Sequence, residues 1–365
     1  MTVPADIETP EILIDRDVLA RNIVRMAEAV GGKGLQLRPH AKTHKMLEIA
    51  RLQLGAGAVG LTVATLGEAE VFAADGVQDI FIAYPLWIRP AQAERLRRLA
   101  ASARISVGVD SAEGAAAMGA ALGDAAGLVA VMLEIDSGHH RSGLLPEGAV
   151  SAARAAAAAG LRVAGVFTFP GHSYAPGMAP AAAEQEASAL ARAAALLEAA
   201  GFRISRRSGG STPTAMLTGP AEATEVRPGV YVFGDAQQLE LGRCTPEDIA
   251  LTVAATVVSR HDGGGAAPRR IILDSGSKIL GGDRPAWATG FGRILDCPDA
   301  RITALSEHHA TVQWPAEVEL PALGERLRVV PNHVCVAVNL VDGVAVVRGG
   351  TVVDRWRVAA RGLNR

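Results

Sequence analysis

DIFIAYP at residues 79–85, AQAERLRRLAASA at 91–103 and RISVGVD at 104–110 make one strand–helix–strand unit. The outer two runs are apolar almost throughout, the pattern of strands covered on both faces. The middle run is amphipathic at helical spacing. Outward from this unit the same texture recurs in ILID (12–15), LQLRPHA (35–41), GLTVAT (60–65), VAVMLEID (129–136), VAGVFTF (163–169) and VYVFGD (230–235). Helical runs such as EAEVFAADG (68–76) lie between them, and Gly76 and Gly201 stand where C-caps are expected. No early Gly-rich turn marks a doubly wound sheet, so the repeats specify an α/β fold, a TIM-like (β/α)8 barrel over residues 1–240.

Past that point the texture changes. LTVAATVVSR (251–260), RRIILDSG (269–276), ERLRVVPNH (325–333) and GVAVVRGGTVVDRWRV (343–358) are Val-rich and separated by tight-turn residues. The last reads as a hairpin turning at Gly349-Gly350. Residues 241–365 are therefore expected to form a C-terminal all-β domain.

The totals bound the function. With 365 residues, a net charge of -2 and no basic run, neither nucleic acid nor an anionic membrane is an expected partner. Aromatics at 4% leave little for base stacking. The N-terminus has no basic region followed by an apolar one, and the three cysteines have no paired spacing; a cytoplasmic protein is expected.

Four polar clusters fall at barrel-strand ends, where such folds keep their chemistry. The first is Arg38-Pro39-His40-Ala41-Lys42-Thr43-His44-Lys45, in which a partly desolvated lysine would serve as an amine nucleophile. Ser208-Gly209-Gly210-Ser211-Thr212-Pro213-Thr214 has the glycines and hydroxyls of a phosphate loop. The others are Glu134-Ile135-Asp136-Ser137-Gly138-His139-His140-Arg141 and Gly171-His172-Ser173-Tyr174. Arg227 and Tyr231 flank a Pro-Gly turn before the last expected strand. In the β domain, Pro331-Asn332-His333-Val334-Cys335 puts His333 and Cys335 two apart on an expected strand, hence on one face. Such a pair suits a zinc ion, with water or substrate completing the shell.

TPEILIDRDVLARNI (9–23) followed by LRPHAKTHK (37–45) resembles the opening of the alanine-racemase-like, fold type III, pyridoxal-phosphate enzymes, and more closely the D-threonine aldolase and D-serine dehydratase branch. The resemblance runs to Trp356–Gly362, and it implies the following roles. Lys42, not Lys45, would hold pyridoxal 5′-phosphate as a Schiff base. Gly209, Gly210, Ser211 and Thr212 would take the phosphate. Arg141, His172, Tyr174, Arg227 and Tyr231 would line the cofactor. His333 and Cys335 would bind a divalent metal, zinc first, with manganese or cobalt as substitutes. The branch's Pro-Thr after the cysteine is Val336-Ala337 here, and its Glu-Glu-His is Glu307-His308-His309. Asp274-Ser275-Gly276-Ser277-Lys278 also matches.

The implied reaction is lyase chemistry on a D-β-hydroxy-α-amino acid, with His309 or His172 as base. Retro-aldol cleavage to glycine and an aldehyde is the first reading. Dehydration to ammonia and a 2-oxo acid, as by D-serine or D-3-hydroxyaspartate dehydratases, is the alternative. Racemases of this fold use a β-domain tyrosine as second base, whereas Tyr84, Tyr174 and Tyr231 all precede that domain. Non-catalytic cofactor carriers resemble the barrel alone. The resemblance also implies a homodimer.

Overall fold

The computed structural model describes residues 3–264 and 268–365. They form two compact units. One gathers Val24–Lys42, Leu47–Gly229 and Gly362–Arg365; the other gathers the described residues up to Ile23, Thr43–Met46 and those of Val230–Arg361.

The strands, in chain order, are β1 (Glu11–Asp15), β2 (Gln36–Leu37), β3 (Leu61–Val63), β4 (Asp79–Pro85), β5 (Arg104–Val109), β6 (Val129–Glu134), β7 (Arg162–Phe167), β8 (Arg206–Gly209) and β9 (Glu225–Val226). Then follow β10 (Leu251–His261), β11 (Arg270–Leu273), β12 (Gly292–Ile294), β13 (Cys297–Leu305), β14 (Ala310–Gln313), β15 (Arg326–Pro331), β16 (Gly343–Arg348) and β17 (Thr351–Arg357).

In the first unit eight parallel strands run in the order β2-β9-β8-β7-β6-β5-β4-β3. A parallel bridge between His40 and Thr62 links the two ends of that order. Alternation along each strand sorts the side chains. Ile80, Ile82, Ile105, Val107, Val129 and Val131 pack outward under Ala-rich helices. Phe81, Ala130, Met132, Ala164 and Phe167 form a separate inner cluster, with Phe81 edge-on to Phe167 at 5.0 Å.

Charge is also buried in this unit. Glu225 accepts from Arg38 Nε at 3.0 Å, Arg206 Nη2 at 2.8 Å and Ser208 Oγ at 2.6 Å. Burial alone would push its carboxyl up, but the Arg38 and Arg206 cations outweigh that and hold it at about 2. Its unfolded value is about 4.3. The folded value is the lower, so this stabilisation is complete above the unfolded value and is lost as pH falls toward the folded one. Glu225→Ala would leave two cations short of a buried partner and should cost roughly 3–5 kcal/mol. Urea unfolding from pH 7 down to pH 3 tests both statements: wild type should approach the variant's stability as the pH falls.

The second unit is a nine-stranded sheet in the order β11-β14-β13-β12-β15-β10-β1-β16-β17. Three sequence expectations are corrected by the topology. ILID, expected as the first barrel strand, lies in β1 between β10 and β16 of this sheet. An apolar run fits any covered strand, and only its pairing partners decide which sheet it joins. VYVFGD is not a strand: Val230–Val232 is a 3-10 turn, followed by a short helix, Ala236–Glu240, capped by Asp235. The phosphate-loop string begins two positions later than expected, because Ser208 and Gly209 still belong to β8. The expected hairpin is present, with Gly349 and Gly350 at φ 57° and 84° between β16 and β17.

Candidate active site

Beyond β2 the chain turns through a 3-10 segment, Ala41–Thr43, that leaves Lys42 half-buried. Its ammonium lies 5.6 Å from the centroid of the Phe169 ring, just past β7. Arg141, beyond β6, puts its guanidinium carbon 4.8 Å from the same centroid. His139 meets Phe169 edge-on at 5.6 Å, and Tyr174 lies 6.3 Å from it. Three strand-end segments singled out in the sequence thus converge on one aromatic ring, and both cations lie within reach of its electron-rich π system.

His172 stacks on His139 at 6.4 Å, and its Nε2 meets Gln185 Oε1 at 2.8 Å. An imidazole that donates Nε2–H to that oxygen would leave Nδ1 as its acceptor. Among the described residues that buried Nδ1 has no hydrogen-bond partner. Burial, with Arg141 and His172 nearby, makes His139 harder to protonate.

At the end of β8, Gly210 has φ 73°, a conformation that costs an L side chain strain. The turn directs Ser211 N–H to Thr214 Oγ1 at 2.9 Å, and Ser211 Oγ lies 3.0 Å from Ser173 Oγ. Thr212 Oγ1 is buried and, among the described residues, unpartnered. A buried hydroxyl without a partner carries an unmet desolvation cost that a bound anion would remove. Arg227 donates to Ser208 Oγ and to the Thr168 carbonyl, both at 2.5 Å. Burial pulls its pKa down to about 10 despite Glu225 and Glu186.

The second unit holds the other singled-out residues. His333 and Cys335 are not on a strand. The strand β15 ends at Pro331, His333 is the N-cap, and Val334–Asn339 is helical. VCVAV has strand-like propensity, but the buried Asp235 carboxylate accepts from Val334 N–H at 3.3 Å and caps the turn from elsewhere in the chain. The helical turn still brings the two side chains together, and His333 hydrogen-bonds to Cys335. His333 Nδ1 also meets Asp283 Oδ2 at 2.8 Å, and Cys335 Sγ donates to Thr43 Oγ1 at 3.3 Å. Burial disfavours the imidazolium, but Cys335, Asp283 and Asp235 prevail and push its pKa well up. Among the described residues no group of three or more His, Cys, Asp or Glu is arranged to hold a metal.

Lys45 is buried, and its ammonium donates to Asn339 Oδ1 at 2.8 Å. Tyr231 is buried in the 3-10 turn. His309 is exposed on the turn between β13 and β14, where its carbonyl accepts from Ser306 N–H.

Sequence reasoning missed Phe169, Asp283, Asp235 and Glu186. Phe169 sits inside TFPGHSY beside residues that were singled out, so the segment was visible although its hub was not. Nothing in the sequence marks the three acids.

The family described as "Alanine racemase, N-terminal domain" matches residues 14–237, and "Putative serine dehydratase domain" matches residues 250–347. The D-threo-3-hydroxyaspartate dehydratase of Delftia sp. is 37% identical, over 90% of this chain and 91% of its own. The D-threonine aldolase of Arthrobacter sp. is 33% identical, over 99% and 94%. A solved D-threo-3-hydroxyaspartate dehydratase, a cysteine-to-alanine mutant in the metal-free form, superposes with TM-score 0.86 at 34% identity, over 96% and 97%.

Proposed function

Because the chain belongs to the D-threonine aldolase and D-serine dehydratase branch of the alanine-racemase-like enzymes, we propose that it is a pyridoxal-phosphate-dependent lyase of D-β-hydroxy-α-amino acids. The observation that carries this reading is the convergence of Lys42, Arg141, His139 and Tyr174 on Phe169, in a unit that also holds the unpartnered Thr212 hydroxyl. These residues fit the cofactor: an amine for its aldehyde, and an anion loop for its phosphate at Gly209, Gly210, Ser211 and Thr212. When bound, the cofactor withdraws electron density from the substrate Cα.

The chain's own groups supply the rest. Lys42 holds the cofactor and moves a proton at Cα. Arg141 and Tyr174 border the ring position, and Arg227 keeps a buried positive charge beside Ser208 and Thr168. His172 takes the β-hydroxyl proton on Nδ1, the ring nitrogen not engaged with Gln185. His309 is the second candidate for that proton.

His333 and Cys335 fit a divalent metal, because one nitrogen and one sulfur donor already touch each other. Two protein donors leave positions for water and substrate, as an open catalytic ion requires. When bound, the metal acts as a Lewis acid on the β-oxygen. Zinc is the first choice for a thiolate–imidazole pair.

Retro-aldol cleavage is the first reading, supported by the buried, unpartnered Nδ1 of His172 among the described residues. Dehydration is the second, supported by the His–Cys pair and by the 37% identical dehydratase. Product analysis separates them. D-Threonine should give glycine and acetaldehyde in the first case; D-serine or D-threo-3-hydroxyaspartate should give ammonia and a 2-oxo acid in the second. Rapid alanine racemisation without lyase product from any of these would overturn both.

We further read the protein as a cytoplasmic homodimer, which light scattering of the purified protein would check. Among the described residues no helix is long and apolar enough to cross a membrane.

A further inference from the structure

Glu186 lies on the helix Ala179–Ala199, whose other glutamates, Glu184 and Glu198, are exposed. Its own side chain is fully buried against the loop that follows β8. One carboxylate oxygen accepts from Gly210 N–H, and the other from Thr214 Oγ1 at 3.3 Å. The approach is close: a Cβ on Gly209 would lie 2.4 Å from Glu186 Oε1, so only glycine leaves room for the acid. Thr214 in turn holds Ser211, and Ser211 meets Ser173. The acid is therefore the foot of the hydroxyl network that shapes the Gly209–Thr212 loop.

A glutamine could accept from Gly210 N–H on its amide oxygen and donate its amide N–H to Thr214 Oγ1, whose hydroxyl can turn to Ser211, so hydrogen bonding alone does not call for an acid here. What the acid adds is a proton site in a buried place. The charged groups around it are few. Arg227 faces it from beyond β9; His172 lies on the neighbouring Gln185; the Arg192–Glu147 pair sits on the exposed side of the helix. Burial raises its pKa to about 7 against the pull of Gly210 N–H and Arg227. A phosphate on the same loop would bring a second anion to it, and two anions in a desolvated site disfavour each other.

We propose that Glu186 is a proton-linked positioning residue beneath the phosphate loop, taking up a proton when the phosphate of the cofactor binds at Gly209–Thr212. The inference rests on the cofactor reading given above. Its sign is fixed: proton uptake on binding makes affinity fall as pH rises, by at most about tenfold per pH unit for one proton.

The test compares the pyridoxal phosphate dissociation constants of the wild-type holoenzyme and Glu186→Gln between pH 6.5 and 8.5. Titration of the lysine linkage and of the phosphate itself is common to both and cancels in the ratio. The ratio of wild-type to variant constants should rise about tenfold across that range. A ratio independent of pH, with both proteins folded and loaded, would overturn the inference and leave the cofactor reading standing. A chain that retains no pyridoxal phosphate at any pH would overturn both. Should the glutamine variant not fold, calorimetry on wild type decides. Pyridoxine 5′-phosphate binding in two buffers of different ionisation enthalpy should show protons taken up at pH 7.5, and none taken up overturns the proposal.

Discussion

Lys42→Ala should yield a protein that retains no cofactor after borohydride reduction, while Lys45→Ala should be yellow as purified and, once reduced, colourless with the cofactor covalently held. The two lysines are three residues apart in RPHAKTHK, and the structure separates their circumstances. Lys42 stands half-buried at the end of a barrel strand with its ammonium 5.6 Å from Phe169, beside Arg141. An amine at a strand end, beside a ring that also meets Arg141, is placed where an aldehyde could be attacked. Lys45 is buried elsewhere, in the other compact unit, with its ammonium on Asn339 Oδ1. That nitrogen is already committed to a side-chain acceptor. Lyase turnover in Lys42→Ala should drop by about 10²–10⁴-fold, the range for a lost proton-transfer group, before cofactor loss is counted. Peptide mapping after reduction reads the result directly, and a cofactor found on Lys45 would reverse the assignment.

The place of that lysine just past a strand was legible because its signal is local: a polar string at the end of an apolar strand. The same holds for the Gly-Gly-Ser-Thr loop and for the Gly349-Gly350 hairpin, where residue type alone dictates the turn. What the sequence hid is of two kinds. One is membership, as in β1, whose apolar ILID fits either sheet and is placed by its pairing with β10 and β16. The other is long-range chemistry. Asp235 lies 99 positions before the Val334 N–H it caps, and Asp283 lies 50 before His333. No window of sequence joins them. The His333–Cys335 reading shows how both kinds mix. A same-face strand pair was expected; the chain instead starts a helix at Val334, yet the two side chains still meet. The residue types were visible and the backbone that presents them was not.

Removing a divalent metal from His333 and Cys335 should abolish turnover while leaving the fold and the cofactor linkage intact. The unit that carries the pair has its own apolar sheet, with Val253, Val329, Val344 and Val346 all fully buried or nearly so. A chelator therefore takes away a ligand of the site and not the source of the unit's stability, unlike a structural zinc whose loss unfolds its domain. Lewis-acid assistance contributes several kcal/mol of charge stabilisation. At about 1.4 kcal/mol per factor of ten, activity should fall a hundredfold or more. Cys335→Ala should weaken metal retention, and Cys335→Asp should restore it with preference shifted from zinc toward manganese, since a carboxylate is the harder donor. Asp283→Asn gives a milder arm. Asp283 bonds His333 Nδ1 and orients the ring, and losing such a partner typically costs about 10–100-fold in metal affinity. Metal content of the active protein, its thermal midpoint and its visible absorbance, measured with and without chelator, read the three consequences separately. Full activity in a metal-free preparation, or in His333→Ala, would reduce the pair to an N-cap and a half-buried thiol, and the β-oxygen would then depend on His172 alone.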